Sequence, residues 1–254
     1  MIHSSFIYRL FKRIWALFFI LFHERKYLND KFLFKGSRKS PLLIVFFSAF
    51  GQENRPGAYN YIWTTRKFKC NKLWIRDRLG YKGVGTYYLG TDYPNSNYIG
   101  NVIDLIRKYS YGKKIVCCGT SKGGSAALFY GLKLKVDVIV SGSPQYYIGT
   151  YLNEKTYHQK IAHEICHSKY FETILNNVLV DEILVSQSKQ TSIHLLISSL
   201  EQSYRNQLLP LINDLSKKHR ISIEDKKYLN HNDVGIFFTD YLINALKEEN
   251  LWLM

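Results

Sequence analysis

The sequence predicts an α/β fold, a mostly parallel central sheet with helices on both faces, and three observations predict it. Short apolar runs recur along the chain and alternate with amphipathic or polar helical stretches. One run, Ile115 to Cys118, meets Gly119-Thr120-Ser121-Lys122-Gly123-Gly124 and continues as a small-residue stretch, which reads as strand, sharp turn and helix. Two later strand patterns each end in polar residues that include an acid, and a histidine turn follows the second, in the chain order serine, acid, histidine.

The 254 residues suit one domain, long enough to bury a core without disulfides or metals. Cys70, Cys117, Cys118 and Cys166 have no paired ligand spacing, and two adjacent cysteines on a strand point to opposite faces. A reducing, cytoplasmic compartment is therefore expected. The net charge is +15, and residues 1–40 hold nine Lys or Arg against two acids. No aromatic-basic nucleic-acid motif accompanies this excess, so nucleic acid is not an expected partner.

Residues 1–28 form a basic-aromatic segment. Its uninterrupted apolar run, Ile14 to Phe22, is too short to cross a bilayer as a helix. His23-Glu24-Arg25-Lys26 follows where a secretory leader would carry small residues for cleavage. Cations beside bulky aromatics over Phe6 to Phe22 suit a helix in an anionic membrane interface, which would place the protein at the inner face of the membrane. A helix packed on the domain is the alternative reading.

From residue 29 the domain proper begins. Phe32 to Phe34 is a short strand, and Leu42 to Phe47 is apolar enough to be a central one. In a fold that uses a serine nucleophile, the loop after that strand supplies an oxyanion-binding amide, which makes the Ala49 and Phe50 backbones candidates beside that of Lys122. Asn71 to Asp77 is the next strand. The following loop, rich in Gly, Tyr and Asn, contains Gly85-Thr86-Tyr87-Tyr88, and Tyr87 and Tyr88 are candidate sugar contacts or simple packing. Asn101 to Tyr109 is an amphipathic helix, and Val136 to Val140 is a buried strand that closes in Ser141-Gly142-Ser143-Pro144.

Residues 146–190 are helical in pattern and contain no strand, so they read as an inserted cap. His163-Glu164-Ile165-Cys166-His167 matches His-Glu-x-x-His formally, but no Gly-flanked third histidine follows; a solvated helix face is expected and no metal. Ser192 to Ser198 is a strand, with Glu201 after it. Ile221 to Glu224 is the last, with Asp225 at its end. Tyr228 to Asp233 is a polar turn before the helix Val234 to Leu246, and of eight histidines only His231 lies there.

Ser121 at a glycine-flanked turn would be held in a strained conformation with its hydroxyl above the sheet, the following helix directing N–H groups at an oxyanion. A phosphate-binding or merely structural loop is the alternative, although Lys122 follows the serine instead of preceding it as in a P-loop. His231 is the candidate base. Glu201 and Asp225 compete for the acid.

The chain resembles the α/β-hydrolase-type capsular polysaccharide O-acetyltransferases. Lys31 to Lys35 with Phe47-Ser48-Ala49-Phe50, Gly85 to Tyr88, Gly119 to Gly124 with Ala127-Leu128, and His231-Asn232 carry the likeness, which spans about residues 30–247. It implies the α/β-hydrolase fold, a Ser121–Glu201–His231 triad, acetyl-CoA as donor and a capsular or related polysaccharide as acceptor. The sequence departs from the family where Glu201 replaces an aspartate and Asn230 a glycine. An esterase, or a non-catalytic accessory of glycoprotein export, is open to the same fold. Oligomeric state is left open.

Overall fold

The computed structural model describes residues 2–28, 30–37, 40–51, 57–186 and 190–251, without the side chains of residues 2–7 and 9. Arg38 and Lys39, two of the N-terminal cations, lie outside the described residues.

Eight strands form one sheet. They are β1 (Glu24–Tyr27), β2 (Asp30–Lys35), β3 (Leu42–Phe47), β4 (Asn71–Ile75), β5 (Lys114–Thr120), β6 (Val138–Gly142), β7 (Ser192–Ile197) and β8 (Ile221–Asp225). Their order is β1-β2-β4-β3-β5-β6-β7-β8, parallel from β4 to β8 and antiparallel at β1 and β2. The all-apolar run of β3 is buried at every position because strands flank it on both sides and layers cover both faces. Side chains alternate about the sheet, so Leu43, Val45, Phe47 and Cys117 enter one core while Leu42, Ile44, Phe46 and Cys118 enter the other.

The helices follow. They are α1 (Ile2–His23), α2 (Tyr98–Ser110), α3 (Lys122–Leu134), α4 (Ile148–Asn153), α5 (Thr156–Ile165), α6 (Phe171–Val185), α7 (Leu209–Ser216) and α8 (Val234–Glu248). Residues of α2, α3 and α4 to α7 share the first core, and residues of α1 and α8 the second. The insertion between β6 and β7 is helical, as its pattern predicts, and α6 packs on α3.

Two expectations change. The boundary expected near residue 28 falls within a hairpin: Glu24 to Tyr27, too polar to be read as a strand, pair with β2 at the sheet edge. The His-Glu-x-x-His match does not occupy one helical turn. Helix α5 stops at Ile165 and Cys166 is extended (φ −137°, ψ 104°), so His167 leaves the helix, while His163 packs edge-on against Phe171. Among the described residues no group of His, Cys, Asp and Glu is arranged to hold a metal, and no helix is long and apolar enough to cross a membrane.

The register positions the site. Phe47 pairs with Gly119, Thr120 with Gly142, Gly142 with Leu196, and Ile197 with Asp225. The carboxyl ends of β3, β5, β6, β7 and β8 are thereby level, and the loops leaving them meet along one edge, where open α/β sheets place ligands.

Candidate active site

Ser121 stands between β5 and α3 with φ 54° and ψ −127°, a strained conformation for a residue with a Cβ. What permits the turn is close approach. A Cβ on Gly119 would lie 2.5 Å from the Gly123 carbonyl oxygen, and one on Gly123 would strike the Phe47 carbonyl. The Ser121 amide donates to Gly142 O at 2.8 Å, which anchors the turn to β6. The hydroxyl is less open than expected: Ser121 is only 9 % exposed, beneath Gln145 and His231.

His231 begins a single 3-10 turn ahead of α8, and its Nε2 lies 2.8 Å from Ser121 Oγ. Its Nδ1 lies 2.5 Å from Glu201 Oε1. With the Nδ1 proton directed to the carboxylate, Nε2 is the acceptor for the serine proton. Glu201 is buried in the turn after β7, and Ser203 Oγ (2.6 Å) and Ser143 Oγ (2.8 Å) also donate to it. Burial pushes its carboxyl up, but the His231, Ser203 and Ser143 contacts outweigh burial and hold it below the ordinary carboxylate range.

Asp225, the rival acid, is elsewhere. Its Oδ1 accepts the Ser199 and Lys227 amides and its Oδ2 pairs with Lys227 Nζ at 2.7 Å, so it organises the loop after β8.

Three side chains to which the sequence assigned no role complete the site. Gln145 Nε2 donates to Ser121 Oγ at 3.0 Å and lies 3.4 Å from His231 Nε2. Ser143, at the end of β6 with φ 37°, takes Tyr228 as a second partner at 2.5 Å. When Ser143 donates to Glu201, the Tyr228 hydroxyl donates to Ser143. The third is the side chain of Lys122, fully buried and paired with equally buried Asp77 at 3.1 Å. Burial pushes the Lys122 ammonium down and Asp77 opposes it. The only signal for Ser143 and Gln145 was their place just past the strand beside the nucleophile strand.

The two tyrosines are not a surface platform. Tyr87 and Tyr88 are 2 % and 0 % exposed, because the Asp77 carboxylate takes the amides of Thr86 (2.6 Å) and Tyr88 (2.9 Å) and draws the loop into the core. Tyr88 then donates its hydroxyl to Ile75 O and accepts the Ser48 amide. The Tyr87 hydroxyl reaches Gln145 Oε1 at 3.4 Å, on the far side of the amide that donates to Ser121. Tyr87 thus touches a site side chain from within, and Tyr88 joins the ends of β3 and β4.

Of the oxyanion candidates, the Ala49 amide already donates to Asn60 Oδ1 at 2.9 Å. Lys122 is the first residue of α3, where an N–H has no intrahelical acceptor, and the described residues offer none to Phe50. The mouth of the site is a pocket of about 450 Å³, lined by Gln145, His231 and Glu201 with polar residues such as Lys155, Gln202 and Asn206.

No family model and no curated protein matches the chain. Solved structures do. The capsule O-acetyltransferase of Neisseria meningitidis serogroup A is 22 % identical, over 88 % of this chain and 94 % of that one, with a TM-score of 0.72. A histidine mutant of that enzyme in complex with CoA gives 0.74 at the same identity and coverage. An S-formylglutathione hydrolase from Agrobacterium tumefaciens gives 0.57 at 12 % identity, over 87 % of this chain and 91 % of that one. The chain has the α/β-hydrolase fold. A chain of the glycosylation-associated Gap123 complex from Streptococcus agalactiae has it too, at 20 % identity and a TM-score of 0.72, with 91 % of this chain covering 47 % of that one. The α/β-hydrolase fold is thus common to neighbours whose names differ in activity, and it does not choose among them.

Proposed function

We propose that this α/β-hydrolase is a serine-nucleophile O-acetyltransferase that moves an acetyl group from acetyl-CoA to a hydroxyl of a capsular or other cell-surface polysaccharide. The observation that carries the proposal is the continuous chain Ser121 Oγ–His231–Glu201, at 2.8 and 2.5 Å. In this reading His231 Nε2 takes the Ser121 proton as Oγ attacks the thioester carbonyl, and Glu201 stabilises the resulting imidazolium. The Lys122 and Phe50 amides face the oxyanion. His231 returns the proton to the departing CoA sulfur and leaves an acetyl-serine. An acceptor hydroxyl then gives its proton to His231, attacks the acetyl carbonyl and departs as the ester, restoring Ser121.

Gln145 has a steady role, since its N–H donation to Oγ leaves a serine lone pair for attack and keeps the proton on the His231 side. Lys155 is the cation of the pocket wall that suits the donor's phosphates. The amides and hydroxyls around it suit an acceptor rich in hydroxyl groups better than an apolar ester, which favours transfer over simple hydrolysis. A complete set of three groups argues against an accessory protein that keeps only the fold.

The test is to incubate purified protein with acetyl-CoA, with and without candidate capsular oligosaccharides, and to follow free CoA together with glycan mass. CoA release that depends on glycan, with addition of an acetyl mass, is the expected result. CoA release indifferent to every glycan, with rapid cleavage of simple acetyl esters, would replace this reading by an esterase.

A further inference from the structure

Helix α1 has two faces of the same chemistry. The inner one packs: Phe19 is buried edge-on against Trp74 (5.6 Å) and stacked on Trp15 (5.1 Å), which in turn meets Trp63 at 5.3 Å. The helix therefore lies against the domain. Its outer face nevertheless exposes Leu10, Ile14, Leu17, Phe18, Leu21 and Phe22, the last at 77 %, while half-exposed Phe11 on the flank meets Trp63 edge-on at 5.8 Å. Soluble surfaces rarely gather so many large apolar side chains in one patch without a partner to cover them. The helix carries no acid at all, and cations bracket the apolar run in the sequence: Lys12 and Arg25 lie over the Tyr8 and Phe34 rings, while Arg13 lines the groove beside the helix and Lys26 is exposed. Beside it runs a groove of about 610 Å³, whose walls include Leu17, Ile20, Ile62 and Trp63, with Arg13 among its lining residues.

We infer that this face docks on an anionic lipid bilayer, with α1 lying in the interface plane and an acyl chain entering the groove below Arg13. The surface pairs an apolar stripe on an acid-free helix with a slot that has a cation among its lining residues, a combination that matches a phospholipid headgroup above its chain. Gly235, four residues after His231, also lines this groove.

The experiment is sedimentation of the full chain with vesicles of phosphatidylglycerol or of phosphatidylcholine, alongside light scattering without lipid. The expected result is binding to phosphatidylglycerol vesicles that is at least ~10-fold tighter than to phosphatidylcholine and weakens in high salt. The double substitution Leu17→Asp with Leu21→Asp, both at exposed positions, should weaken binding ~10-fold or more, and Arg13→Glu should reduce the preference for anionic lipid. Circular dichroism of each variant should match that of the parent. Failure of the parent to bind, or unchanged binding by the double variant, overturns the inference. A concentration-dependent dimer that the same substitutions dissociate, without lipid binding, assigns the face to a second copy instead.

Discussion

Two buried carboxylates with nitrogen partners, Asp77 with Lys122 and Glu201 with His231, flank the turn that carries Ser121, and they are built to opposite ends. Lys122 and Asp77 are both fully buried, and Asp77 accepts from the Lys122 ammonium, the amides of Leu79, Thr86 and Tyr88 and the Thr86 hydroxyl. The Lys122 ammonium also lies 5.0 Å from the ring centre of Tyr88 and 5.6 Å from that of Phe50. This pair ties three loops into one strut. His231 and Glu201 differ in openness, their side chains being 32 % and 3 % exposed, so the carboxylate is fixed while the imidazole faces the pocket. A charge sealed from water can hold a shape but cannot pass a proton to a substrate, whereas a half-open histidine oriented by a buried acid can.

The largest effects should therefore come from the open pair's side of the turn. Ser121→Ala should leave folding and the thermal transition unchanged while lowering acetyl transfer by ~10⁴-fold or more, by the pattern of triad enzymes. Retained turnover would mean that the serine is not the nucleophile. Glu201→Gln should cost ~10³-fold by disturbing the tautomer and removing the imidazolium's counter-charge, whereas Asp225→Asn should stay within about twofold. The reverse ranking would move the acid to the loop after β8.

How far the sequence disclosed this comparison follows from how local each feature is. The turn at Ser121 is fully local: Gly119 and Gly123 are required by contacts within the turn and with β3, so a short pattern reveals it. His231 follows from chain order. Glu201 could be narrowed only to two candidates, because the choice depends on which loop side chain turns toward β6. The strut left no mark, since Lys122 and Asp77 are 45 residues apart and no spacing rule joins them. For the same reason the sequence left Tyr87 and Tyr88 open between sugar contacts and packing, and a buried carboxylate that no spacing rule reveals folds their backbone inward with φ of 55° and 61°. Helix α1 shows the opposite case: the packed reading of its sequence describes the inner face, and the exposed apolar side chains of the outer face are what the membrane inference starts from.

The strut should register in stability more than in chemistry. Lys122→Met leaves Asp77 as an uncompensated buried charge, and Asp77→Asn does the same to Lys122, so each should lower unfolding free energy by about 3–5 kcal/mol in a urea titration. Gly85→Ala should also destabilise, since its φ is 109° and a Cβ would strike the Lys122 ammonium. If the folded fraction of Lys122→Met turns over normally, the pair is purely architectural. If the rate falls further than the folded fraction, the strut also sets the Lys122 and Phe50 amides.

The smallest effect should sharpen the comparison from the Glu201 side. Ser143→Ala removes one of the three donors that hold the Glu201 carboxyl below its usual range, leaving His231 and Ser203. A carboxylate with a depressed folded-state pKa contributes stability that is present above its unfolded value of about 4.3 and is lost as pH falls through the folded value. Losing the Ser143 bond raises the folded value, so the acid-side loss should begin at higher pH in the variant. The expected readings are a rate lowered by less than ~10-fold at pH 7, consistent with one hydrogen bond to a charged group, and an acid limb of both stability and kcat/KM displaced upward by less than about one unit. Ser203→Ala should do the same, since it too donates to Glu201. An unchanged acid limb in both variants would mean that His231 alone holds the carboxylate ionised, and the two serines would then be packing neighbours of the site.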